Sequence, residues 1–79
     1  MEIKILGSGC ARCKTLEKLT REVVEQNGID ATVSKVEDIY QIMKYGVMTT
    51  PALVVNEKVE IMGRVPSADE IRLILTKTI

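Results

Sequence analysis

Apolar and polar positions follow two different periods along the chain, and the switches between them mark the elements. Ile3 to Leu6 form a short apolar run that stops at Gly7-Ser8-Gly9, the pattern of a buried strand followed by a turn. From Ala11 the period becomes helical. Leu16, Leu19, Val23 and Val24 share one face, while Lys14, Glu17, Lys18, Arg21, Glu22 and Glu25 fall mostly on the other. Asn27-Gly28 stops this helix, since glycine suits the left-handed conformation past a helix end. Ile29 to Val36 sets Ala31, Val33 and Lys35 against Asp30, Thr32 and Ser34, which predicts a second strand. Glu37 to Tyr45 carries Ile39, Ile42 and Met43 at helical spacing and closes at Gly46. Ala52 to Val55 and Lys58 to Met62 predict two strands joined by a tight hairpin at Asn56-Glu57. Ser67-Ala68-Asp69-Glu70 has the spacing of a capping box and opens a last helix, with Ile71, Ile74, Leu75 and Thr78 along one face.

The predicted order is βαβαββα, an α/β fold occupying residues 1–79 as a single domain. Helices between the early strands imply parallel pairing, and the short connection at Asn56-Glu57 implies an antiparallel pair. A mixed four-stranded sheet packed by three helices satisfies both. The chain has 79 residues, near the lower limit for a core without a staple, but 46% are apolar and mostly aliphatic. It has no Trp, no Phe and only two Tyr, so base stacking is not an available recognition device. Eleven Lys and Arg balance eleven Asp and Glu. That neutrality argues against a nucleic-acid or anionic-membrane partner. No apolar stretch approaches the ~20 residues needed to cross a bilayer, and the N-terminal residues lack the pattern of a secretory signal. A cytoplasmic location and a monomer are expected.

The chemistry concentrates in Cys10-Ala11-Arg12-Cys13. Two cysteines at this spacing do not make a secreted disulfide framework, and in a reducing compartment they point to redox or metal chemistry. At a helix start, the free N–H groups and the positive end of the helix dipole favour thiolate over thiol at Cys10. Arg12 and Lys14 can add positive potential. Cys10 is therefore the expected nucleophile, and Cys13, one turn further on, the expected resolving thiol. A closed zinc site needs four ligands, and the sequence has no His and no third Cys, so no metal site or cofactor is implied. The spacing alone leaves open a soft ion such as Cu(I), which two thiolates suit. It also leaves open a redox-sensing module whose disulfide state gates a partner. Gly7-Ser8-Gly9 through Lys14-Thr15 echoes a phosphate loop, but Cys13 stands where that loop requires glycine.

Pro51 precedes the apolar run Ala52-Leu53-Val54-Val55, a place for a strand-start proline or a special turn. Three segments taken together resemble the thioredoxin superfamily, and its small glutaredoxin-sized members in particular, over essentially the whole chain. They are Gly7 to Cys13, Gly46-Val47-Met48-Thr49-Thr50-Pro51 with its strand, and Gly63-Arg64-Val65-Pro66-Ser67. The resemblance implies a minimal thioredoxin-like fold and a thiol–disulfide oxidoreductase, with protein disulfides as substrates. It also implies an upstream thiol reductant, either a reductase or a glutathione-like thiol. It implies that Pro51 is cis beside the cysteine pair and that the Thr50 backbone pairs with an extended substrate. Met48, Val47, Ala11, Arg12 and Gly63 are expected around that groove. This sequence departs from thioredoxins in having Gly9 before the first cysteine in place of Trp, and Lys4 in place of a buried acid.

Overall fold

A computed structural model describes residues 1–7, 9 and 11–78. The elements follow the expected order: β1 (Glu2–Leu6), α1 (Ala11–Gln26), β2 (Thr32–Val36), α2 (Ile39–Lys44), β3 (Ala52–Val55), β4 (Lys58–Met62) and α3 (Ala68–Thr78). The sheet order is β2-β1-β3-β4. β1 pairs parallel with β2 and antiparallel with β3, and β3 pairs antiparallel with β4. The mixed sheet with three helices is a minimal thioredoxin fold.

Strand alternation divides the core between the two faces of this sheet. Ile3 and Ile5 of β1, with Leu53 and Val55 of β3, pack under Leu16 and Val23 of α1 and Ile71 and Leu75 of α3. Leu6, Ala52 and Val54 point the other way and meet Ile42 of α2 and Val47. One face thus lies under two long helices and the other under a helix of six residues. All four residues of β3 are buried, because that strand is paired on both edges and covered on both faces. Truncating Leu16 or Leu53 to Ala is worth about 2–5 kcal/mol, a large part of the ~5–15 kcal/mol that holds a domain together.

The helix ends show where the sequence pattern overran. Ile29 does not begin β2. Its N–H bonds to the Val24 carbonyl while the Gly28 N–H bonds to Glu25, the paired bonds of a Schellman cap. Ile29 and Val24 both pack on the larger core cluster and complete that cap. The ladder starts only at Thr32, whose N–H reaches the Met1 carbonyl at 2.9 Å. α2 begins later than Glu37 because the Asp38 side chain caps it, accepting from the Tyr40 N–H at 2.9 Å. Ile39 and Met43 share the expected spacing but face solvent, and only Ile42 is buried. Thr78 is likewise exposed at the end of α3. Ser67 caps α3 through the Glu70 N–H, but the Glu70 carboxylate does not reach back to it. It is taken by both Nη atoms of Arg64. A two-pronged charged pair outcompetes a neutral N–H for the carboxylate.

The hairpin forms as expected, with positive φ at both Asn56 and Glu57. Lys4 ties it to β1, donating to Glu57 at 2.7 Å and to the Tyr45 hydroxyl at 2.8 Å, with Glu2 at 3.3 Å. These bonds hold Lys4 well above the ordinary lysine range, Glu57 contributing most and Tyr45 next.

Candidate functional site

The site forms where three distant segments meet at the C-terminal end of β1. The first is the turn from β1 into α1. The Gly7 N–H extends the β1–β2 ladder by bonding to the Val36 carbonyl at 3.0 Å. α1 then starts at Ala11 and carries Cys13 in its first turn, 5% exposed. Gly7 is required by close approach. A Cβ there would run into the Cys13 sulfur and stand 3.9 Å from the Thr50 Cβ. The sulfur occupies space that any side chain at position 7 would fill.

The second segment enters β3 through Thr50-Pro51, whose peptide bond is cis. Pro51 is buried, Thr50 partly exposed, and Met48 89% exposed. The third is the turn after β4. Gly63 has φ of 80° and donates its N–H to the Pro51 carbonyl at 2.9 Å. A Cβ on Gly63 would stand 2.6 Å from Thr49 Oγ1 and clash. Position 63 therefore demands glycine twice, for its backbone angle and for Thr49. Arg12 closes the ring from α1, its Nη2 donating to the Gly63 carbonyl at 3.2 Å.

Among the residues expected at the site, the structure brings together Cys13, Arg12, Thr50, Pro51 and Gly63. Ala11 sits exposed at the start of the same helix. Val47 is not on the rim. It is buried against Leu6, Ile42 and Val54, because its side chain completes the core under α2. Cys10 lies outside the described residues.

A family described as the thioredoxin domain matches residues 1–76. A thioredoxin of Methanothermobacter thermautotrophicus is 46% identical over 76 residues, covering 96% of this chain and 99% of the relative. The chain belongs to the thioredoxin family. A thioredoxin of Methanocaldococcus jannaschii is 34% identical over 70 residues, covering 89% of this chain and 80% of the relative. A probable thioredoxin of Archaeoglobus fulgidus is 34% identical over 71 residues, covering 86% and 77%.

Within this thioredoxin fold, Lys4 lies on the sheet face away from α1, alternating with the inward Ile3 and Ile5. A different group of charges stands near the buried sulfur. A cavity of about 100 Å³ is lined by Ile5, Gly7, Cys13, Glu17, Lys35 and Glu37, among others. Glu17 was expected on the solvent face of α1, yet its side chain is only 19% exposed. Arg21 holds it at 3.0 Å and Lys35 at 3.9 Å. The sequence carried one signal for it, the four-residue step from Cys13 to Glu17 that places both on one side of a helix. Among the described residues no cluster of three or more potential ligands forms a metal site, and no helix is long and apolar enough to cross a membrane.

Proposed function

We propose that this chain is a thioredoxin-type thiol–disulfide oxidoreductase, acting as one domain in the cytoplasm as a monomer. Cys10 attacks a substrate disulfide and releases one thiol. Cys13 then attacks the mixed disulfide, releases the second thiol and leaves the Cys10–Cys13 disulfide for an upstream thiol to reduce. The observation that carries this reading is the convergence at Gly7. A buried cysteine one turn into α1, the Thr50-Pro51 entry to β3 and the Gly63 turn are packed so closely that a Cβ at Gly7 or at Gly63 would displace Cys13 or Thr49.

Thr50 and Pro51 shape the groove. The Thr50 backbone pairs with an extended substrate, and the exposed Met48 and Ala11 give the groove an apolar rim. Protein disulfides suit this arrangement better than glutathione. Arg64, just before α3, is already engaged by Glu70 through both Nη atoms.

The test is trapping. Cys13→Ser should accumulate a stable mixed disulfide with a disulfide-containing protein such as insulin, whereas Cys10→Ser should accumulate none. In dithiol–disulfide buffers the wild-type chain should show one two-electron transition between about −180 and −280 mV. Trapping by Cys10→Ser in place of Cys13→Ser would reverse the two roles. A pair that forms no disulfide until a bound ion is chelated would sink the redox reading in favour of soft-metal carriage.

A further inference from the structure

The second half of the exchange reaction needs a base. Cys13 resolves the mixed disulfide as a thiolate, and an ordinary thiol with a pKa of about 8.5 is only a few per cent ionised at neutral pH. Burial of the sulfur keeps bulk water from serving freely. The strand residue at which thioredoxins place an acid is Lys4 here, and it is committed to Glu57 and Tyr45 on the far face of the sheet.

The cavity beside Cys13 supplies the alternative. Its charged lining comes from two sides: Lys14 and Glu17 from α1, and Lys35 and Glu37 from β2 and the residue just beyond it. Arg21 reaches Glu17 from the next turn of α1, with its Nε at 3.1 Å. β1 contributes only Ile5, and the turn after it only Gly7 and Gly9. Of the two carboxylates, Glu37 is 57% exposed and Glu17 is 19% exposed. Glu17 is also the one fixed on the same helix as Cys13, four residues on. A volume of about 100 Å³ has room for bridging water between them.

We propose that Glu17 takes the proton from Cys13, through water in the shared cavity, as Cys13 attacks the mixed disulfide. This rests on the exchange reaction proposed above. The Cys13 S–H bond breaks and its proton passes to the Glu17 carboxylate. The sulfur electron pair forms the Cys10–Cys13 bond, the bond from Cys10 to the substrate sulfur breaks, and the substrate leaves as a thiolate. Lys35, 3.9 Å from both Glu17 and Glu37, links the sheltered carboxylate to the exposed one at the cavity mouth. Glu17 then returns its proton to solvent along that edge.

Stopped-flow reaction of the reduced chain with dithiobis(nitrobenzoate) separates the steps, because each attack releases one coloured thiolate. Wild type should release two, and its second phase should stay nearly level between about pH 6 and 8. Glu17→Gln should release the first thiolate at the wild-type rate and the second about tenfold more slowly at pH 7. Its second phase should then climb about tenfold per pH unit, as attack by free thiolate requires. Glu17→Asp should restore part of the level profile. A Glu17→Gln second phase matching wild type in rate and pH profile would overturn the proposal. So would equal slowing of both phases in the Gln and Asp variants, which a purely structural role produces. Wild-type protein that releases only one thiolate would overturn the exchange reading itself, and this one with it.

Discussion

Position 7 shows how narrowly the site is built. Gly7 is at once the last residue bonded into the β1–β2 ladder and the floor on which the Cys13 sulfur rests. The backbone cannot withdraw without breaking that ladder bond, so an added methyl group must push the sulfur or the start of α1 outward. Gly7→Ala should cost about 1–3 kcal/mol, the usual penalty for overpacking, as a lowered urea midpoint. It should also slow resolution by Cys13 more than attack by Cys10, since the displaced sulfur is the one that must approach. Gly63 is constrained differently, by a positive φ and by Thr49. Neither requirement is legible from sequence, where Gly7 presents itself only as a turn former and Gly63 only through the family resemblance. The cysteine spacing, by contrast, is local and legible, and so is the Thr50-Pro51 entry to β3, because each lies within a few consecutive residues.

The pattern and the structure agree wherever one period governs a whole segment, as in α1, β3 and β4. The misreadings cluster at ends and at α2, where side chains compete for backbone groups. Ile29 is apolar and follows a glycine, so pattern alone assigns it to a strand, while the helix cap claims it. Ile39 and Met43 have core spacing, yet a helix of six residues buries only one row against the sheet. The hairpin is held by chemistry that acts between elements. Lys4 bonds Glu57 in the turn and Tyr45 after α2, so β1, the β3–β4 turn and the α2–β3 connection share one cation. Glu57 is held below its ordinary value of 4.5, first by Lys4 and then by Tyr45. A depressed carboxylate stabilises the fold above that ordinary value and loses its contribution as pH falls through the lowered one. Glu57→Gln should therefore be less stable than wild type at pH 7. The gap should close progressively below pH 4.5, in thermal melts recorded across the acid range.

At the scale of the whole molecule, the two sheet faces are unequal. The face under α1 and α3 holds the larger core cluster and the cavity that reaches Cys13. The other is closed by α2 alone, and beside it stand the exposed Ile39, Tyr40, Met43 and Met48. This division was foreseeable only in part. Strand alternation assigns residues to faces and the four-residue step sets Glu17 on the Cys13 side of α1, but no local pattern says that Glu17 is sheltered there while Met48 stays in water. The arrangement determines how the molecule ages under peroxide. Thioether sulfur is attacked wherever solvent reaches it, and the sulfoxide is polar where methionine was not. Met48, followed by Met43 and Met62, should gain oxygen well before the sheltered Cys13 does, in peptide mass spectra over a time course. Oxidative wear would then blunt the exposed apolar side chains, the proposed substrate rim at Met48 included, while the sheltered sulfur of Cys13 gained no oxygen.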